Sequence, residues 1–413
     1  MLVAPALVVE RLAAQQSEKP QRLHGPEIRI ENRHPFGAKS VVCHESITEA
    51  LRCRWNALCR RWQPMSLKSE IFEQPAVLDR LLRTQAGPTR EIARAIRGRG
   101  VHWVLIAARG TSDHAALYAK YLWGSCNGLP VALAAPSLYT LYQTPPRLQG
   151  ALVVGISQSG QSPDIVSVVA DGRRQGALTL AITNDLSSPL AAAAEMVVDA
   201  CSGPEHAIAA TKTYTTQLLS IALLSVAMTQ EESGEDGHAE AIGQVPEWVQ
   251  EALDLDGAIE QAAQRYRYMT QCVVLGRGLN YATAAEWSLK LKELTSVVAE
   301  PYSSADFRHG PVAILTRGFP VLAVVPGGAV FEDVMALLTP LVEERGVELV
   351  AVSNQERALA LAHTPVGLPA GLPEWLSPLV SIVPAQLFCY HLTRAMGRDP
   401  DAPSGLSKVT RTW

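Results

Sequence analysis

Glu286, Lys290 and Glu293 stand four and three residues apart, a spacing that sets all three on one face of a helix. A carboxylate beside an ammonium can move a proton at carbon while the cation steadies a neighbouring oxygen. Glu286 and Lys290 are equally an ordinary i,i+4 ion pair, so spacing alone leaves both roles open. Further on, residues 303–311 crowd Asp306, Arg308 and His309 before Gly310-Pro311, the composition of a loop that carries function. Lys408 lies beyond the turn-rich stretch 398–406. A chain end of that kind normally frays, but one folded over a site would bring Lys408 to a ligand as a primary amine.

Two hydroxyl-rich turns suggest what is bound. Arg109-Gly110-Thr111-Ser112 and Ser157-Gln158-Ser159-Gly160-Gln161-Ser162 each follow an apolar run and precede a helical pattern. Such turns aim free backbone N–H groups and a helix dipole outward, and serine and threonine hydroxyls add neutral donors. A phosphate monoester suits this chemistry without a metal, although helix capping alone also favours serine and threonine. Neither turn fits G-x-x-x-x-G-K-[ST] or G-x-G-x-x-G, which disfavours nucleotides. Gly203-Pro204-Glu205-His206 and the small residues 207–211, which include Ile208 and Ala210, read as a loop packed onto a ligand ahead of a long apolar helix.

The elements that would position these residues are strand–turn–helix units. Apolar runs at 101–108 and 151–156 end in the turns above, a third at 178–183 ends at Asn184 and a fourth lies at 196–199; the pattern restarts at 272–275, 321–325 and 347–352. A last strand is expected at 379–383, leading into a helix through about 396. Strands alternating with helices imply parallel sheets covered on both faces, here two tandem three-layer α/β lobes. The expected layout is an N-terminal extension at 1–64, a helical segment at 65–100, a first lobe at 101–230 and a linker at 231–255, with the acidic stretch 230–243 exposed. A second lobe at 256–396 and a tail at 397–413 closing over the site complete it.

With 47% hydrophobic and 18% charged residues and a net charge of −4, the chain gives no reason to expect nucleic acid or a membrane surface as partner. An anionic ligand must be held locally. The seven cysteines are scattered without a Cys-x-x-Cys pair, so neither a disulfide framework nor a zinc site is expected, and a cytoplasmic setting fits. Residues 1–64 differ from the rest, with ten Lys and Arg against six Glu and no Asp. Their apolar run 2–9 is too short to span a bilayer and lacks the features of a signal peptide.

In order along the chain, residues 70–75, 110–112, 157–160, 210–212, 289–293, 309–311 and Lys408 resemble the SIS (sugar isomerase) family across roughly 65–413. Within it the chain is similar to the isomerase half of glutamine:fructose-6-phosphate amidotransferases. It looks closer still to SIS-type glucosamine-6-phosphate deaminases in 108–115, 159–164, 203–205 and the ending 399–410. The resemblance implies two αβα lobes with flavodoxin-like sheets in a homodimer, with no cofactor and no metal. It implies that Thr111, Ser112, Ser157, Gln158, Ser159 and Ser162 hold a sugar phosphate, with Ile208 and Ala210 beside it. Glu293 would move a proton between C1 and C2, and Lys290 would polarise the oxygen near C2. His309, lent by the other subunit, would open the pyranose ring, and Lys408 would approach the open-chain sugar. A glutaminase needs an N-terminal cysteine and a domain of its own, which residues 1–64 do not supply. The expected reaction is therefore release of ammonia from glucosamine 6-phosphate to give fructose 6-phosphate. Another hexosamine or fructosamine phosphate, plain isomerisation, and a non-catalytic sugar-phosphate sensor are the alternatives.

Overall fold

The computed structural model describes residues 66–233, 237–408 and 412. Ser66 caps helix α1 (Leu67–Phe72), exchanging hydrogen bonds with Ser69 in a capping box. Helix α2 (Gln74–Gly98) carries Pro75 in its first turn, where the missing N–H costs nothing, and buries Val77, Leu78, Leu81 and Ile92.

The first sheet is built from β1 (Trp103–Ala107), β2 (Val131–Leu133), β3 (Ala151–Ser157), β4 (Leu178–Thr183) and β5 (Met196–Asp199). Its helices are α3 (Thr111–Asn127), α4 (Ser137–Thr140), α5 (Pro163–Arg174), α6 (Pro189–Ala193) and α7 (Lys212–Ser233). Three helices follow: α8 (Gly237–Gly243), α9 (Val245–Leu253) and α10 (Asp256–Arg265). The second sheet comprises β6 (Gln271–Gly276), β7 (Val298–Ser303), β8 (Pro320–Val324), β9 (Glu348–Ser353) and β10 (Thr364–Gly367). Around it lie α11 (Tyr281–Thr295), α12 (Ser304–Arg308), α13 (Phe331–Glu343), α14 (Glu356–Leu361) and α15 (Ser377–Ala395).

Every strand pairing is parallel, in the orders β2-β1-β3-β4-β5 and β10-β9-β8-β6-β7. Renumbered from its own first strand, the second sheet has the order of the first, the flavodoxin-like 2-1-3-4-5 arrangement. The sequence halves therefore encode one topology twice. In such a sheet the crossovers reverse direction between the first and third strands, which opens a crevice at their carboxyl ends. In the first lobe that crevice lies between the ends of β1 and β3, where the two hydroxyl-rich turns begin.

A single apolar cluster joins the lobes, running from Ile106 and Val154 through Tyr214 and Leu218 to Trp287, Leu379 and Phe388. Helix α7 lies within it, buried from Thr211 to Met228. Two expectations about elements need correcting. Residues 379–383 are not a strand but lie within α15, all of whose residues from Ser377 to Thr393 are buried. A helix buried all round shows no 3.6-residue period, so its apolar run read as a strand. Strands β7 and β10 went unseen because they sit at sheet edges and carry exposed or polar residues instead of an apolar run, and β2, also at an edge, is only three residues long. The linker expected at 231–255 is helical where it is described after 236, with residues 237–240 exposed and Trp248, Val249 and Leu253 of α9 buried.

Candidate active site

The crevice of the first lobe deepens into a cavity of about 370 Å³, within the ordinary range for small-ligand sites of roughly 300–1,000 Å³. Five groups of residues line it. The end of β1 and the start of α3 supply Arg109, Gly110, Thr111 and Ser112, and the end of β3 supplies Ser157, Gln158, Ser159 and Ser162. The loop before α7 and its first turns add Ile208, Ala210, Thr213 and Gln217. The second lobe contributes Lys290 and Glu293, and the tail contributes Leu406, Ser407, Lys408 and Thr412. All eight residues expected to bind the ligand thus meet Glu293, Lys290 and Lys408 at one cavity. His309 does not join them. It caps α12, exposed and outside the cavity lining.

Gly160 holds the second turn in shape. Its φ of +61° belongs to the left-handed region, and a Cβ there would stand 2.2 Å from the Ser188 hydroxyl oxygen. The Gly160 N–H donates to the Ser157 hydroxyl at 3.1 Å. Ser162 is the N-cap of α5 but makes no capping bond with its side chain, which leaves its hydroxyl for the cavity. Asp164 sits fully buried in the first turn of α5, where a negative charge would oppose an anionic ligand. Arg109 Nε donates to it at 2.9 Å and neutralises it.

The chemistry-bearing cluster crosses between the lobes. Helices α3 and α11 each follow the first strand of their lobe, and they pack against one another. Thr111 Oγ1 donates to Glu286 Oε1 at 3.0 Å, and His114 Nδ1 lies 2.7 Å from Glu286 Oε2. An ionised carboxylate only accepts, so Nδ1 of His114 carries the hydrogen. Lys290 Nζ reaches Glu286 Oε1 at 3.4 Å and Glu293 Oε2 at 2.5 Å. Lys290 and Glu286 are buried, whereas the Glu293 side chain keeps 23% exposure and faces the cavity. Burial alone would depress the Lys290 pKa, but Glu286 and Glu293 outweigh it and hold the ammonium above its ordinary range. Burial would likewise raise Glu286. Lys290, His114 and Thr111 overcome it and keep its pKa below the ordinary 4.5. The result is a fixed ammonium beside a carboxylate that opens onto the ligand space.

A second buried carboxylate fastens the tail. Glu205 Oε1 accepts the Thr211 and Thr213 N–H groups, and Oε2 accepts the Thr213 hydroxyl, so one side chain caps α7. Lys408 Nζ donates to Glu205 Oε2 at 2.8 Å and to the Ala207 carbonyl at 2.6 Å. Behind this loop Glu70 accepts the His206 and Ala207 N–H groups, and Lys212 pairs with Glu73 at 2.6 Å. Burial, reinforced by the charge of Glu205, raises the Glu70 pKa against these donors and Lys212. The segment 70–75 therefore braces the ligand loop from behind. Its role was invisible in sequence because its partners lie more than 130 residues away.

Sequence spacing did not single out Gln217, Thr213, Arg109 or His114 as parts of the site. For Thr213 and Gln217 the available signal was Thr211, Lys212, Thr213, Thr215, Thr216 and Gln217, a run of polar residues opening a long helix. Among the described residues no group of three His, Cys, Asp or Glu side chains is placed to hold a metal ion.

The SIS domain family matches the chain twice, at residues 100–227 and 269–396. A glutamine--fructose-6-phosphate aminotransferase [isomerizing] of Thermococcus kodakarensis is 33% identical over 354 residues, covering 84% of this chain and 58% of that protein. The chain thus spans little more than half the length of this relative. A Silicibacter pomeroyi chain that carries the provisional name phosphosugar isomerase superposes with a TM-score of 0.73 at 33% identity, covering 82% of this chain and 100% of that one. The C-terminal domain of a glucosamine-fructose-6-phosphate aminotransferase from Francisella tularensis gives 0.75 at 27%, covering 83% and 99%. A glucosamine-6-phosphate deaminase from Thermotoga maritima gives 0.65 at 23%, covering 84% and 99%, a likeness of fold.

Proposed function

The chain belongs to the SIS family, and from that premise we propose that it converts glucosamine 6-phosphate to fructose 6-phosphate and ammonia. The observation that carries the reading is the convergence of the Ser157–Ser162 turn, the Lys290–Glu293 pair and Lys408 on one cavity. The hydroxyl turns would hold the phosphate. Glu293 would then stand beside C1 and C2 of the open-chain sugar, taking the proton from C2 and returning it to C1. That transfer converts the C1 aldehyde and C2 amine into a C1 alcohol and a C2 imine. Water adds to C2, the C–N bond breaks, and ammonia leaves with the proton it needs, giving the ketose. Lys290, kept charged by two carboxylates, would steady the oxygen on which negative charge develops as the C2 proton departs.

His309 would serve ring opening from a second copy of the chain, which accords with its exposure away from its own cavity. The deaminase direction is supported by residues 108–115 and 159–164, which resemble those of SIS-type deaminases. Their Arg109 and Asp164 pair at the edge of the cavity.

The test is ammonia release from glucosamine 6-phosphate and from its C4 epimer, with Glu293→Gln as control. Ammonia and fructose 6-phosphate should appear together, and Glu293→Gln should slow their formation by about 10²- to 10⁴-fold. Interconversion of ketose and aldose phosphates without ammonia would replace deamination with simple isomerisation. Binding without turnover of any sugar phosphate would make the chain a sensor.

A further inference from the structure

Thr111 and Ser112 are adjacent hydroxyls at the start of α3, yet their hydrogens are committed differently. The one hydroxyl hydrogen of Thr111 goes to Glu286 Oε1 at 3.0 Å, so toward a ligand its side chain offers only lone pairs. Ser112, by contrast, is a hydrogen-bond acceptor. Its oxygen receives the Gln217 Nε2 hydrogen at 3.0 Å and its own hydrogen remains uncommitted.

Gln217 is buried at 1% exposure on the second turn of α7, and its Oε1 has no partner. The amide orientation follows from polar satisfaction. With Nε2 on Ser112, the Oε1 acceptor and one N–H are left unpaired. The flipped amide would strand both N–H donors instead, and an orphaned buried N–H is rarer than an under-satisfied oxygen. A buried glutamine held this way does not serve the core, where a leucine or methionine of similar volume would pack without an unsatisfied oxygen.

We propose that Gln217 is a positioning residue for phosphate recognition: by donating to Ser112 it turns the Ser112 hydrogen toward the ligand, so that this hydroxyl acts as a donor to a phosphate dianion. A serine free to rotate could present lone pairs to the same anion. Gln217 removes that option before the ligand arrives, so less freedom is lost on binding. The inference rests on the sugar-phosphate reading above.

The experiment is a double-mutant cycle read by calorimetric binding of fructose 6-phosphate and of inorganic phosphate to the full chain. Ser112→Ala and Gln217→Met should each weaken both ligands by about tenfold, and the double variant should be no weaker than Ser112→Ala alone. Gln217→Glu keeps the shape but accepts the Ser112 hydrogen instead of donating, and it should bind phosphate more weakly than Gln217→Met. It also provides the measurement if Gln217→Met folds poorly. Additive losses in the cycle, or unchanged binding in Gln217→Met or Gln217→Glu, would overturn the positioning role. Failure of the unmodified chain to bind any sugar phosphate would instead overturn the reading of the site itself.

Discussion

At the scale of single residues the site is an arrangement of charges removed from water, and Glu286 is its most demanding member. A buried carboxylate is tolerable only because Lys290, His114 and Thr111 all address it. Its folded pKa lies below the ordinary 4.5, so the stability it contributes is fully present above that value. That contribution is lost as pH falls through the folded value. Glu286→Gln should therefore cost about 3–5 kcal/mol at neutral pH, because it leaves Lys290 with one carboxylate fewer in a dry setting. The gap between the two proteins should narrow as pH drops below 4.5. Denaturant midpoints measured from pH 7 to pH 3 read this directly, and parallel curves would show that Glu286 does not titrate as argued. Glu293 and Lys290 were legible in sequence because an i,i+3 and i,i+4 pattern is local. The bonds of Glu286 to Thr111 and His114 span 175 and 172 residues, and no spacing rule reaches that far.

At the scale of elements, two strand ends and three helix starts do the positioning. The turn after β3 shows how little freedom this allows. Gly160 combines a positive φ with contact against Ser188, itself the cap of α6, so the turn and the next crossover are fitted to each other. Gly160→Ala should lower stability by about 1–3 kcal/mol from backbone strain, with the clash at Ser188 in addition. It should also weaken sugar-phosphate affinity, because Gly160 N–H holds Ser157 in place. Equilibrium denaturation and binding measured on the same variant test both parts, and a stable variant with intact affinity would refute the fitted-turn account. The strands flanking this turn were readable because central parallel strands are apolar on both faces, as in the fully buried β3 and β4. The edge strands β7 and β10 and helix α15 were not, since those edges carry polar or exposed residues and a fully buried helix loses its period. Composition then no longer distinguishes strand from helix.

At the scale of the whole molecule, catalysis as proposed needs two lobes and a tail to arrive at one cavity, and the tail is the part held least by the core. Asp401 Oδ1 accepts the Leu67 N–H at 2.6 Å, tying the tail to the first helix, and Lys408 ties it to Glu205. These two bonds differ in what they serve. Glu205 already receives two N–H groups and a hydroxyl from the start of α7, so it remains satisfied without Lys408. Lys408 holds the tail through Glu205 and the Ala207 carbonyl and also lines the cavity with a primary amine. Lys408→Met should then cost about 1–3 kcal/mol of stability, because the buried Glu205 carboxylate loses its cation but keeps its three other hydrogen bonds, while ammonia release is lost. Glu205→Ala should cost more. It orphans buried N–H groups at about 1–3 kcal/mol each, so stability and activity fall together. Comparing the two variants separates a tail that takes part in the reaction from one that only straps the loop down. If Lys408→Met destabilises the chain as much as Glu205→Ala and still turns over substrate, the tail is a strap and the amine chemistry must be sought elsewhere in the cavity.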